Sequence, residues 1–176
     1  LMATPAILIT PQRNSELKRN WSIIGGAVYG GSCLLAIFHV ILFLFTRNYS
    51  YLIFSGFVLA HAAFTLSFRG IGFELFWPNS VEWHHRSIPF FNAVTQLFWL
   101  LLTTYYLSNS SVPQRLTQFG KWLGTILVFM LAYPFLEPGV GPFIAMSLLS
   151  LVTYCWIVAV VIFAWRSSRG AKFYAL

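Results

Sequence analysis

Five long segments of the chain contain almost no charged residues, and this feature constrains the fold more than any other. The first, Trp21–Phe45, has no charged side chain at all. As a helix rising about 1.5 Å per residue, it is long enough to cross the hydrocarbon core of a bilayer. The other four are Tyr49–Phe68, Ser87–Leu107, Phe119–Leu136 and Phe143–Trp165. Because a backbone in lipid must satisfy its own hydrogen bonds, we predict an all-α fold, a polytopic transmembrane helix bundle.

The composition excludes the soluble classes of protein. Hydrophobic residues make up 58% of the 176 residues and charged residues only 9%, whereas a typical soluble domain has about 25% charged residues. The net charge of +7 comes from 11 Lys and Arg residues scattered near the ends of the apolar segments. That placement is typical of a topology signal and not of a nucleic-acid-binding face. We therefore expect the lipid bilayer as a partner and no nucleic acid.

The first 20 residues differ from the rest of the chain. LMATPAILIT is short, apolar and partly β-branched, and Pro11 follows it. This pattern fits the last strand of a preceding domain, followed by a polar linker. We therefore assign residues 1–20 to the end of a preceding domain with its linker and residues 21–176 to a transmembrane helical domain. In that domain we expect a sixth helix to open after Lys172 and to be truncated at residue 176.

Small residues recur at helical spacing in the first two spans. Gly26 and Gly30 are four residues apart in the first span, and Gly56 and Ala60 are four apart in the second. Small side chains let two helix backbones approach closely in lipid. We predict that the first two helices pack through Gly26 and Gly30 on one side and Gly56 and Ala60 on the other. A homodimer face is the second role open to these glycines.

No segment carries the pattern of a catalytic or cofactor site. Usable Ser/His/acid, Cys/His and glycine-rich phosphate motifs are all missing from the sequence, so we predict that the chain is not an enzyme. His39 and His61 lie in neighbouring spans at depths that differ by about six residues, or roughly 9 Å, whereas two axial ligands of one haem need nearly equal depths. His84 and His85 lack further ligands for a metal. We therefore predict no cofactor and no metal.

A transporter or channel subunit is the alternative class. Ionisable residues in the middle of a span are the usual mark of an ion path, and these spans carry no Lys, Arg, Asp or Glu in their middles. The polar residues available for a path are Asn92 and Gln96, with His39 and His61. A transporter or channel subunit therefore stays the alternative, with these four side chains as its candidate path.

The segment FRGIGFELFWP, residues 68–78, is the most unusual connection between spans. Two glycines allow turns that other residues resist, and a proline after Trp77 favours extended backbone there. Arg69 and Glu74 are close enough in sequence to form an ion pair. We predict an ordered cap that meets the preceding domain and relays its state. A membrane-anchored connector with no signalling role is the alternative. The proposed relay residues are Arg69, Gly70, Gly72, Glu74, Trp77 and Pro78.

The stretch RNYSYLIFSGFVLAHAAFTLSFRGIGFELFWPNSVEW resembles the second span and following loop of bacterial seven-transmembrane receptors with diverse intracellular signalling modules. The glycine-rich first span around Tyr29 and Gly30 and the late sequence RGAKFYAL also fit that family, and the resemblance extends over about residues 15–176. The matching residues in the quoted stretch are Arg47, Tyr51, Gly70, Gly72, Trp77 and Pro78.

The resemblance implies a multi-pass sensory receptor of the bacterial inner membrane. Such a protein would have seven transmembrane helices, of which five and the edge of a sixth are visible. Its N-terminus would be extracytoplasmic and preceded by a jelly-roll-like sensing domain, with Leu1–Thr10 as the last strand. A cytoplasmic output domain, commonly a diguanylate cyclase or a histidine kinase, would follow the seventh helix. Charge does not decide the orientation, because the two sides carry five and six Lys or Arg residues.

Overall fold

In the computed structural model, the backbone is described for residues 11–107, 113–137 and 140–173. Across these ranges the fold consists of α-helices and no strands. The helices are α1 (Pro11–Thr46), α2 (Tyr49–Phe68), α3 (Ile71–Leu75), α4 (Val81–Leu107), α5 (Gln114–Leu136) and α6 (Gly141–Phe173). All except the five-residue α3 are long and apolar enough to cross a membrane. The predicted all-α polytopic bundle is therefore confirmed.

The turn between α1 and α2 follows directly from its local sequence. Arg47 has a positive φ of 55°, which reverses the chain after Thr46. Asn48 then caps α2, because its side-chain oxygen accepts a hydrogen bond from the backbone N–H of Ser50 at 3.0 Å. The same oxygen accepts the hydroxyl of Tyr105 at 3.0 Å. The start of α2 thus lies beside the end of α4, and the two helices run antiparallel.

The fourth helix is the centre of the bundle. It packs against α2, α5 and α6 and also meets the short α3, while α1 packs on α2 alone within the described part of the chain. Residues of α4, α5 and α6 form the buried core between these three helices. Its members are Ala93, Leu100, Leu123, Leu127, Met146, Trp156, Ile157 and Val160.

Polar side chains of α4 and α6 face this core and not the lipid. Asn92 Nδ2 donates to Ser150 Oγ at 3.3 Å, and Trp156 Nε1 donates to the backbone oxygen of Leu116 at 2.9 Å. Gln96 is completely buried, and within the described residues its amide has no hydrogen-bond partner. The helices α4 and α6 run parallel, and the Asn92–Ser150 hydrogen bond favours one position of α6 along α4.

The predicted and observed bounds agree for α2 and differ elsewhere. α4 begins at Val81 and not at Ser87, so His84 and His85 lie on a helix, and Pro89 lies inside it. α6 continues through Lys172 to Phe173, and residues 174–176, in which the expected sixth helix would continue, lie outside the described residues. Residues 166–172 contain no proline, and a single glycine costs a helix only about 1 kcal/mol. The predicted strand Leu1–Thr10 lies outside the described residues.

Candidate functional site

The predicted cap, residues 68–78, lies in the connection between α2 and α4, and from here on the name is used for that whole connection, Arg69–Ser80. It lies at one end of the bundle, together with the first turns of α4, the end of α5 and the start of α6. Trp83 of α4 lies beside Phe135 of α5, with 6.0 Å between ring centroids, which shows that these helices are antiparallel. We call this end of the bundle the cap end.

Gly70 makes the turn that starts the cap. Its φ of 75° is in the left-handed region, where a side chain is strained. The backbone oxygen of Gly70 accepts the N–H of Glu74 at 3.2 Å, and the N–H of Gly70 donates to the oxygen of Ser67 at 3.1 Å. This glycine therefore closes α2 and opens α3 within a single turn, as expected of an ordered connection.

Gly72 provides the seat for Trp77. It is buried, and a β-carbon placed on it would lie 2.7 Å from Cζ2 of Trp77. The Gly72 backbone oxygen also accepts the N–H of Phe76 at 2.9 Å and that of Trp77 at 3.4 Å. The indole ring therefore folds back onto α3, and no larger residue fits at position 72 without displacing it.

Two aromatic contacts connect the cap to the first turns of α4. Trp77 meets Trp83 in an edge-on arrangement with ring centroids 6.3 Å apart, and Phe73 lies 5.2 Å from the His84 ring. Trp83 also contacts Phe90 at 6.0 Å on its own helix. With its contact to α5, this tryptophan joins three elements. The sequence analysis did not identify Trp83 as a contact residue, because the predicted span begins at Ser87.

The other predicted relay residues lie on the outside of the cap. Arg69, Glu74 and Pro78 are exposed, and the pairing of Arg69 with Glu74 stays a prediction. The ion pair that the structure shows at this end joins Arg86 and Glu82, one helical turn apart on α4. The Arg86 guanidinium also lies 6.0 Å from the centroid of the Phe135 ring.

The predicted packing residues have partners that differ from those expected. A β-carbon on Gly56 would lie 2.5 Å from Cε1 of Phe98, so Gly56 receives a ring from α4. A β-carbon on Gly26 or Gly30 would meet no atom within 4 Å among the described residues. The contact between α1 and α2 instead includes the buried Ala36, whose backbone oxygen accepts the Ser55 hydroxyl at 3.1 Å. Ala60 is buried, and its packing against α1 stays a prediction. A homodimer face at the open glycines stays a prediction.

The intramembrane histidines each contact aromatic rings and not one another. His39 Nδ1 donates to the Leu35 backbone oxygen at 2.8 Å, and its ring centroid lies 4.5 Å from that of Phe54. His61 is exposed on α2 and stacks on Phe57 at 6.0 Å. Across the described ranges, no three His, Cys, Asp or Glu residues are grouped in a way that could hold a metal.

Comparison with known proteins identifies a family to which the chain is similar. The family described as 7TM diverse intracellular signalling has a model that matches residues 21–176. The match begins at the first span and covers the cap and all five long helices. No curated protein and no solved structure matches the chain.

Proposed function

Because the chain belongs to the 7TM diverse intracellular signalling family, we propose that it is the transmembrane module of a bacterial sensory receptor, coupling an extracytoplasmic signal to a cytoplasmic output domain. The output domain is of the cyclase or kinase type and is carried elsewhere in the full-length protein. Family membership and the five apolar helices support the coarser statement that this is a multi-pass membrane protein with a sensory and not a catalytic role.

The proposed orientation places the N-terminus and the cap outside the bacterial inner membrane. The ends of α4 and α6 then face the cytoplasm. Arg115 lies near the start of α5 and Arg166 near the end of α6, both on the proposed cytoplasmic side. The orientation is supported by the family pattern and only weakly by charge, since the positive-inside rule favours it by one residue.

The observation that carries the proposal is the contact between Trp77 of the cap and Trp83 of α4. Since α4 packs against α2, α5 and α6, a displacement of the cap acts first on the helix with the most neighbours. A signal that favours one position of the cap would shift the population of two helix arrangements. The shift would reach the cytoplasmic end of α4 without any chemistry inside the membrane.

We propose a receptor in preference to a transporter because of where the polar side chains lie. Gln96 and Asn92 are in the core of α4 and α6. His39 is on α1 beside Phe54, and His61 is exposed on α2. Within the described ranges these side chains lie in separate parts of the bundle, which favours a receptor over a polar path for a transported substrate.

The test compares two glycine substitutions in the full-length protein. Gly72→Val puts a branched side chain where Trp77 lies, and it should change the ratio of stimulated to unstimulated output at normal membrane abundance. Gly31→Val is the matched control, because its new β-carbon would meet no atom within 4 Å among the described residues, and its output should equal that of the wild type. Wild-type output from Gly72→Val, with and without stimulus, would contradict the proposal.

A further inference from the structure

A cavity of about 450 Å³ lies at the cap end, between the start of α4, the end of α5 and the start of α6. Its volume is within the range of small-molecule sites, which is about 300–1,000 Å³. Glu82 and Val140 line it and are exposed. Since charged side chains lie outside the hydrocarbon core, the cavity opens toward water at the membrane edge.

The cavity combines charges of both signs with an apolar lining. Arg86 belongs to the α4 wall and Glu137 to the wall that follows α5. Ile88, Pro134 and Phe143 are among the apolar residues that complete the lining. A few polar groups placed in a mainly apolar concave surface are the usual composition of a small-molecule site.

Arg86 is held in place and still has a donor available. Its Nη2 pairs with Glu82, and its guanidinium lies against Phe135. Its side chain is 25% exposed and lines the cavity, so part of the guanidinium is accessible to a ligand. A guanidinium offers five N–H donors in a planar fork that matches a carboxylate or phosphate. The geometry therefore leaves Arg86 able to bind an anionic group.

Glu137 is held in a similar way on the other wall. The Tyr133 hydroxyl donates to Oε2 of Glu137. A β-carbon on Gly141 would lie 3.1 Å from Oε1, so the glycine leaves room for the carboxylate to stay close to α6. Each carboxylate oxygen can accept more than one hydrogen bond. Glu137 can therefore accept an ammonium group in addition to the tyrosine.

We propose that this cavity binds a small zwitterion with an apolar body, its anionic group on Arg86 and its cationic group on Glu137. A simple anion would meet the two carboxylates of Glu82 and Glu137 with only one arginine to offset them. A simple cation would lie near the Arg86 guanidinium, a like charge, and would offer it no anionic group. A zwitterion satisfies both walls, and its apolar body replaces water against Ile88 and Phe143.

The site is distinct from the relay proposed above, and it depends on the proposed orientation only for the side from which the ligand arrives. Binding is tested with the full-length protein purified in lipid nanodiscs, with no measurement of signalling output. The probes are L-leucine and its two single-charge analogues, 4-methylpentanoate and 3-methylbutylamine. Calorimetric titration should show binding of L-leucine that is stronger than that of either analogue.

Two cavity variants and a remote control locate the binding. Arg86→Gln and Glu137→Gln should each weaken L-leucine binding by about tenfold or more, because each removes hydrogen bonds to a charged group. Glu137→Gln keeps an oxygen for Tyr133, which protects the local fold. Arg115→Gln, at the opposite end of the bundle, should bind as the wild type does.

Three results would overturn the proposal: no binding of L-leucine, equal binding of the three probes, or undiminished binding in both cavity variants. Unchanged thermal unfolding of the unliganded variants shows that a loss of binding is not a loss of fold. If Gly72→Val leaves the output unchanged while L-leucine binds as expected, the relay is overturned and this site stands. If Gly72→Val changes the output while L-leucine does not bind, the site is overturned and the relay stands.

Discussion

Three glycines of the bundle each lie against an aromatic ring from another part of the chain. Gly56 of α2 receives Phe98 of α4, Gly72 of α3 receives Trp77, and Gly120 of α5 receives Trp156 of α6. In lipid, close contact of this kind replaces the hydrophobic effect as the source of helix association. Each glycine therefore leaves the space that the ring occupies, and a β-carbon at that position would collide with it.

Replacing Gly56 with leucine should lower the stability of the bundle by about 1–3 kcal/mol, the usual cost of overpacking. Gly30→Leu is the matched control, because both changes gain the same helix propensity and only position 56 meets a ring. The free energy of unfolding in detergent micelles measures the difference between the two variants. Equal stability of the two variants would show that Phe98 does not pack on Gly56.

At the scale of the elements, the sequence predicts a helix best where both of its ends carry local signals. α2 has its predicted bounds because Asn48 caps its start and Gly70 turns the chain after its end. α4 begins six residues before its predicted start. Its first two turns, VEWHHR, are too polar to count as part of an apolar span, yet they pack on the cap through Trp83. Hydropathy indicates which residues favour lipid over water. Trp83 and His84 in these turns instead contact aromatic rings of the cap.

The cap shows the same limit within one short segment. Its glycines predicted an ordered turn, and Gly70 has the left-handed conformation that such a turn needs. The seating of Trp77 on Gly72 and its contact with Trp83 are tertiary, and no local pattern in the sequence indicates them. The cavity between α4, α5 and α6 was missed for the same reason, because its walls are about 50 residues apart in the chain. Conversely, the glycine spacing of α1 predicted a close contact with α2, whereas a β-carbon on Gly26 or Gly30 would meet no atom within 4 Å among the described residues.

Over the whole molecule, the cap and the cavity lie at one end of the bundle, and the Asn48–Tyr105 hydrogen bond lies at the other. The proposed orientation places the first end outside the cell. Its test uses single cysteines in a background where Cys33 and Cys155 are replaced by serine. A membrane-impermeant thiol reagent added outside should modify Ser80→Cys in the cap and spare Gln114→Cys at the start of α5. If the reagent modifies only position 114, the orientation is the reverse of the one proposed, and the cap cannot receive a signal from outside the cell.

We propose that the cap acts on α4 through the contact of Trp77 with Trp83. A double-mutant cycle on stimulated output measures this coupling, because residues that act through one contact have effects that do not add. The variants are Trp77→Ala, Trp83→Leu and the double variant in the full-length protein, each compared at equal membrane abundance. Trp122→Leu, on the exposed face of α5, is the control and should respond as the wild type does. We expect each single variant to weaken the response and the double variant to weaken it no further than the stronger single change. Independent, additive losses, or a wild-type response in both single variants, would contradict the claim.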